Sequence, residues 1–162
     1  MILSRGYVKI PAFLVFFFLG LSSWLFAEVG LEVRNTSYFS ARDFKRIPEF
    51  FTGQEYEGSK VYCRSNQSER QGFYFVVKVN SSSTDLSVDA YWKLDLITSI
   101  NPAAQSIKIP INNPKIFGKE IFIGLTGNDW PDPSAQVLAW RLSLLCTEGS
   151  IIAKKQSFLW SK

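Results

Sequence analysis

Past Gly58 apolar and polar residues alternate with a period of two, and seven runs carry the pattern between short turn-forming interruptions. Alternation puts every second side chain on one face, so each run predicts a β-strand with one side against a core. The inward sets are Val61 and Cys63; Phe73, Phe75, Val77 and Val79; Ala90, Trp92, Leu94 and Leu96; Ile107, Ile109 and Ile111; Ile121, Ile123 and Leu125; and Leu138, Trp140, Leu142, Leu144 and Cys146. The seventh run, Ile151 to Trp160, is ambiguous in phase because Lys154 and Lys155 occupy both faces. NSSST from Asn80, NPAA from Asn101, NNP from Asn112 and TEGS from Thr147 to Ser150 supply the turns, the last as a tight hairpin. The pattern predicts an all-β, seven-stranded antiparallel β-sandwich over residues 58–162.

Residues 28–57 lack this alternation and read as an irregular segment. Phe44, Ile47 and Phe51 recur there at spacings of three and four, and Pro48 suits the first turn of a helix because it has no backbone donor to lose. A brief helix from near Pro48 to Gly53 is therefore expected. Ahead of it, Arg5 and Lys9 precede an almost uncharged run from Ile10 to Ala27, with an apolar centre at Ala12 to Leu21 and a small residue before Glu28. That is the form of a signal peptide over residues 1–27, which makes the rest extracytoplasmic, either periplasmic or secreted. Leu25 stands where a second small residue is preferred, and the run approaches the roughly 18–20 residues that span a bilayer, so an uncleaved N-terminal anchor is the alternative.

About seven strands in about 105 residues, with Trp92 on the third, resemble the immunoglobulin-like and fibronectin type III-like β-sandwiches. The resemblance is one of architecture, covers Gly58 to Trp160, and lacks the cysteine pair that antibody domains carry on the second and sixth strands. It implies one sheet of the first, second and fifth strands and another of the third, fourth, sixth and seventh. Such folds host adhesion, carbohydrate binding, chaperone and structural roles, so no activity follows.

On the implied first sheet the outward residues Tyr62, Tyr74, Val76 and Phe122 form a greasy face, whereas the second shows Tyr91, Lys93, Asp95, Arg141 and Ser143. Soluble monomers rarely leave such a patch open. Either the N-terminal segment folds over it with Phe44, Ile47, Phe50 and Phe51, or it docks another extracytoplasmic protein or a polysaccharide. The two cysteines leave a similar choice. A Cys63–Cys146 bond would add roughly 4–5 kcal/mol by closing a long loop, but the implied strand directions set the two at opposite ends, beyond the ~7 Å a bridge allows. The competing reading is two buried thiols acting as small hydrophobes.

Charge and chemistry narrow the function classes. The 18 basic and 14 acidic residues give +4, and loss of Arg5 and Lys9 with the leader halves it. No concentrated basic face remains for nucleic acid. With no histidine, the common Ser/His and Cys/His pairs and histidine zinc sites are unavailable, and no cofactor or metal is expected. Asp129 and Asp132 in GNDWPDP are the one carboxylate pair sharing a loop with a tryptophan; bonding of local backbone amides explains them as well. Trp130 in that loop is the best aromatic platform for a sugar, since Trp92 and Trp140 fall on core phase. Asn35, Asn66 and Asn80 head glycosylation sequons. The expected function is a non-catalytic interaction or structural module, with candidate binding residues Tyr62, Tyr74, Val76, Phe122 and Trp130 and with membrane contact only through an uncleaved leader. A carbohydrate-binding module is the rival, and a small extracytoplasmic hydrolase the third reading.

Overall fold

A computed structural model describes residues 29–81, 86 and 89–161; the leader expected at 1–27 lies outside the described residues. In chain order the strands are β1 (Gly30–Phe39), β2 (Val61–Arg64), β3 (Gly72–Asn80), β4 (Ala90–Thr98), β5 (Gln105–Pro110), β6 (Glu120–Thr126), β7 (Val137–Cys146) and β8 (Ile151–Gln156). They form two four-stranded sheets, ordered β1-β3-β6-β2 and β5-β4-β7-β8. The seven runs divide between the sheets as the alternation and the architectural resemblance imply. Phe75 and Val77 of β3 and Ile121, Ile123 and Leu125 of β6 belong to one buried cluster with Trp92, Leu94 and Leu96 of β4 and Leu142 and Leu144 of β7. Each large side chain so shielded contributes about 1.5–3 kcal/mol.

An eighth strand departs from the expectation of an irregular segment. β1 pairs antiparallel with β3, with a register shift between Val33 and Asn35 that leaves Arg34 without a partner. Before the bulge Leu31 and Val33 face the core; after it the phase flips, so that Tyr38 faces in and Phe39 faces out. A single extra residue thus breaks the alternation, and the polar stretch Asn35, Thr36, Ser37 hides what remains. A second departure is one of direction. β2 runs parallel to β6, because the chain leaving β2 passes over the end of β6 and returns antiparallel to it as β3. Period two defines faces, not strand direction. The third concerns Leu138, expected inside: a bulge opposite Ile97 and Thr98 pairs those residues with Ala139 and Val137, and Leu138, the extra residue, is 47% exposed.

Cys63 and Cys146 are both buried and free. Cys63 pairs with Ile123 towards the end of the sandwich where β2 and β6 finish, whereas Cys146 closes β7 at the other end, opposite Ala90. Burial pushes the Cys63 thiol up to about 12, which suits a small core hydrophobe.

Candidate docking surface and end cleft

The outer face of the β1-β3-β6-β2 sheet does bring Tyr62, Tyr74, Val76 and Phe122 together, but all four are buried. Phe44 lies on them, 4.9 Å from the Tyr74 ring, 5.6 Å from Tyr62 and 6.3 Å from Phe122, and Phe39 of β1 completes the cover against Tyr74 at 5.7 Å. These four residues are therefore not a docking surface; the covering alternative holds, and the chain supplies the lid itself. Phe39, unassigned in the sequence reading, joins because of the bulge in β1.

Electrostatics staple the covering segment down. The Arg64 guanidinium donates to Glu55 through both Nη1, at 2.9 Å, and Nη2, and through Nε to the Tyr74 hydroxyl at 3.1 Å. The Tyr74 hydroxyl in turn donates to the Arg70 carbonyl at 2.6 Å. Arg70 reaches Glu49 at 2.6 Å and Glu55 at 3.3 Å. The hydrogen bond from Arg70 holds Glu49 below the usual carboxylate range, and that from Arg64 does the same for Glu55 against its own desolvation. Burial pushes the Tyr74 phenol up to about 12. Burial alone would lower Arg64, but the bonds and charges of Glu55 and Tyr74 together outweigh it and hold the guanidinium above its ordinary value.

This network decides which way the helix faces. α1 (Ile47–Thr52) begins with Pro48 in its first turn and ends at Gly53, whose φ of 68° lets its N–H reach the Glu49 carbonyl; both bounds agree with the sequence reading. Ile47, Phe50 and Phe51 lie on one helical face by their spacing. An amphipathic helix ordinarily turns that face to the core. Here Glu49 points inward to Arg70, and Ile47, Phe50 and Phe51 are 76%, 74% and 85% exposed. Of the four side chains expected to form the lid, only Phe44 does so. The outward face is flanked by Arg42, Lys45 and Arg46, all exposed and without an ion pair among the described residues; Lys45 sits over the Phe50 ring, 5.9 Å from its centroid. A cavity of about 380 Å³ lined by Ala41, Lys45, Glu49, Phe50, Gly53 and Arg70 adjoins it.

Trp130 takes a different place from the one expected. Its indole stacks on Phe73, 4.6 Å between centroids, and the residue is only 6% exposed, so it is not a surface platform. It lines a cleft of about 530 Å³ at the end of the sandwich where β4 hands over to β5 and β6 crosses to β7. Asp132 accepts both the N–H and the hydroxyl of Ser134, a local turn bond that accounts for it, whereas Asp129 borders the cleft. On the opposite outer face Asp95 is lowered because bonds from Arg141 and Ser106 overcome its burial. Among the described residues no cluster of three metal-binding side chains occurs, and no helix is long and apolar enough to cross a membrane. No protein-family model, no curated protein and no solved structure matches the chain.

Proposed function

We propose that this protein is an exported, non-catalytic sandwich of the immunoglobulin-like kind that serves as an interaction module, docking another extracytoplasmic protein through the outward face of α1. The observation that carries the reading is the inverted helix. Burying Ile47, Phe50 and Phe51 would be worth about 1.5–3 kcal/mol each, yet the chain holds Glu49 inward and leaves them in water. Three exposed cations beside three apolar side chains fit a partner surface with an apolar recess bordered by Asp or Glu; the charges steer encounter and the aromatic rings anchor the contact. The basic and apolar leader supports export, and the lack of histidine supports a non-catalytic role.

The test is a photo-reactive phenylalanine placed at position 51 of the full chain and activated in its native compartment. The reading expects adducts that map to an apolar protein segment flanked by acidic residues, lost in Arg42→Glu/Lys45→Glu and in Phe50→Ser. Adducts confined to lipid, to a polysaccharide or to a second copy of the chain, or adducts indifferent to both variants, overturn it.

A further inference from the structure

The geometry points to a second site, beyond the docking face: we infer that the cleft at the end of the sandwich binds a neutral, hydroxyl-rich ligand of the size of a mono- or disaccharide. At about 530 Å³ it falls within the ~300–1,000 Å³ range of small-molecule sites. Its two walls, residues 98–107 and 127–135, are braced against each other through Ser99, whose N–H donates to the Gln136 carbonyl at 2.8 Å while its hydroxyl accepts from the Gln136 N–H at 3.0 Å. The opening is thus set by one backbone bond and one bond to the Ser99 hydroxyl, both within the protein.

The polar groups inside divide into two kinds. Thr98 and Asn101 spend their side chains on the loop itself, accepting the N–H of Asn101 and of Ala103, and Ser106 serves Asp95. Half-buried Gln105 and exposed Asn128 and Asp129 line the same cleft with no side-chain partner among the described residues. Two amides offer donors and acceptors and the carboxylate accepts, the complement a set of vicinal hydroxyls presents. Ile100, Ile107 and Pro131 add apolar wall for the C–H face of a sugar ring.

Trp130 closes the apolar wall. It is more than nine-tenths buried, and its Nε1, shielded from solvent, has no hydrogen-bond partner among the described residues. With one face of the Trp130 indole taken by Phe73 and its Nε1 closed off from solvent, the ring offers a ligand apolar contact rather than a hydrogen bond. Asp129 is the sole ionisable group in the lining, so anionic sugars are rejected by charge.

Saturation-transfer NMR of the full chain with neutral, anionic and amino sugars and with simple alkylamines tests the site. The expected result is transfer to at least one neutral saccharide, weakened about tenfold or more in Asp129→Asn/Asn128→Ala and unchanged in Phe50→Ser, which leaves the cleft alone. Transfer to no neutral sugar at millimolar concentration, transfer only to amines or to anionic sugars, or transfer that survives the cleft variants overturns the inference. None of these outcomes bears on the docking face, which is tested by its own crosslinks.

Discussion

Replacing Phe44 by alanine separates the lid from the face that was expected to share its work. Phe44 is 3% exposed and its ring meets four others, those of Tyr74, Tyr62, Phe122 and Phe39, at 4.9–6.3 Å. Truncating a buried phenylalanine costs about 3–5 kcal/mol, and the Arg64 guanidinium, 5.7 Å from the ring centroid, loses a face as well. Phe51, seven positions on and chemically identical, is 85% exposed, so its truncation shifts stability by no more than about 0.5 kcal/mol. Urea unfolding followed by tryptophan fluorescence reads both. With a slope of about 1–3 kcal/mol per molar urea, the midpoint falls by about 1 M or more for Phe44→Ala and stays nearly fixed for Phe51→Ala. Equal losses in the two variants, or a loss below about 1 kcal/mol for Phe44→Ala, would refute the assignment of lid and outward face.

Three further outcomes follow from the staple beneath that lid and from the thiols. The Glu49 and Glu55 carboxyls are held below their ordinary 4.5 by hydrogen bonds from Arg70 and Arg64, so the unfolded chain takes up protons first; their stabilisation is full above that value and drains as pH falls through the lowered folded values. Acid unfolding should therefore shift and flatten in Glu55→Gln, and an unchanged acid limb argues against the pairing. Tyr74→Phe removes the hydroxyl that joins Arg64 to the Arg70 carbonyl and should cost about 1–3 kcal/mol by leaving a buried charged donor short of a partner. Titration with a thiol reagent should find two free thiols in denaturant, and Cys63, with its thiol pushed up to about 12, silent in the native protein; a blocked pair in denaturant would show a bond instead.

The sheet partition was legible because burial of one face writes itself as period two, and Phe75, Trp92, Leu94 and Ile123 carry that signal with few breaks. Bulges erase it. Arg34 and Leu138 each insert one residue into a ladder, so β1 disappears among its polar residues and the start of β7 is read on the wrong face. The bounds of α1 were legible from Pro48 and Gly53, two residues whose backbone demands are local. Its orientation was not, because it depends on an ion pair between Glu49 and Arg70, 21 positions apart. The one hint was Glu49 itself, placed opposite Ile47, Phe50 and Phe51 and free to seek a half-buried cation. Trp130 was assigned to the surface on the polarity of its loop, whereas its packing is decided by Phe73, which contributes the other ring.

Hydroxyl-radical footprinting of the full chain, read residue by residue by mass spectrometry, tests the outward helix most directly. Rapid modification of Phe50 and Phe51 with Phe44, Phe122 and Trp92 protected is the predicted result. Protection of Phe50 and Phe51 in the isolated chain, with Phe44 and Phe122 modified, would place the apolar face of α1 on the sheet and remove the basis for the docking role.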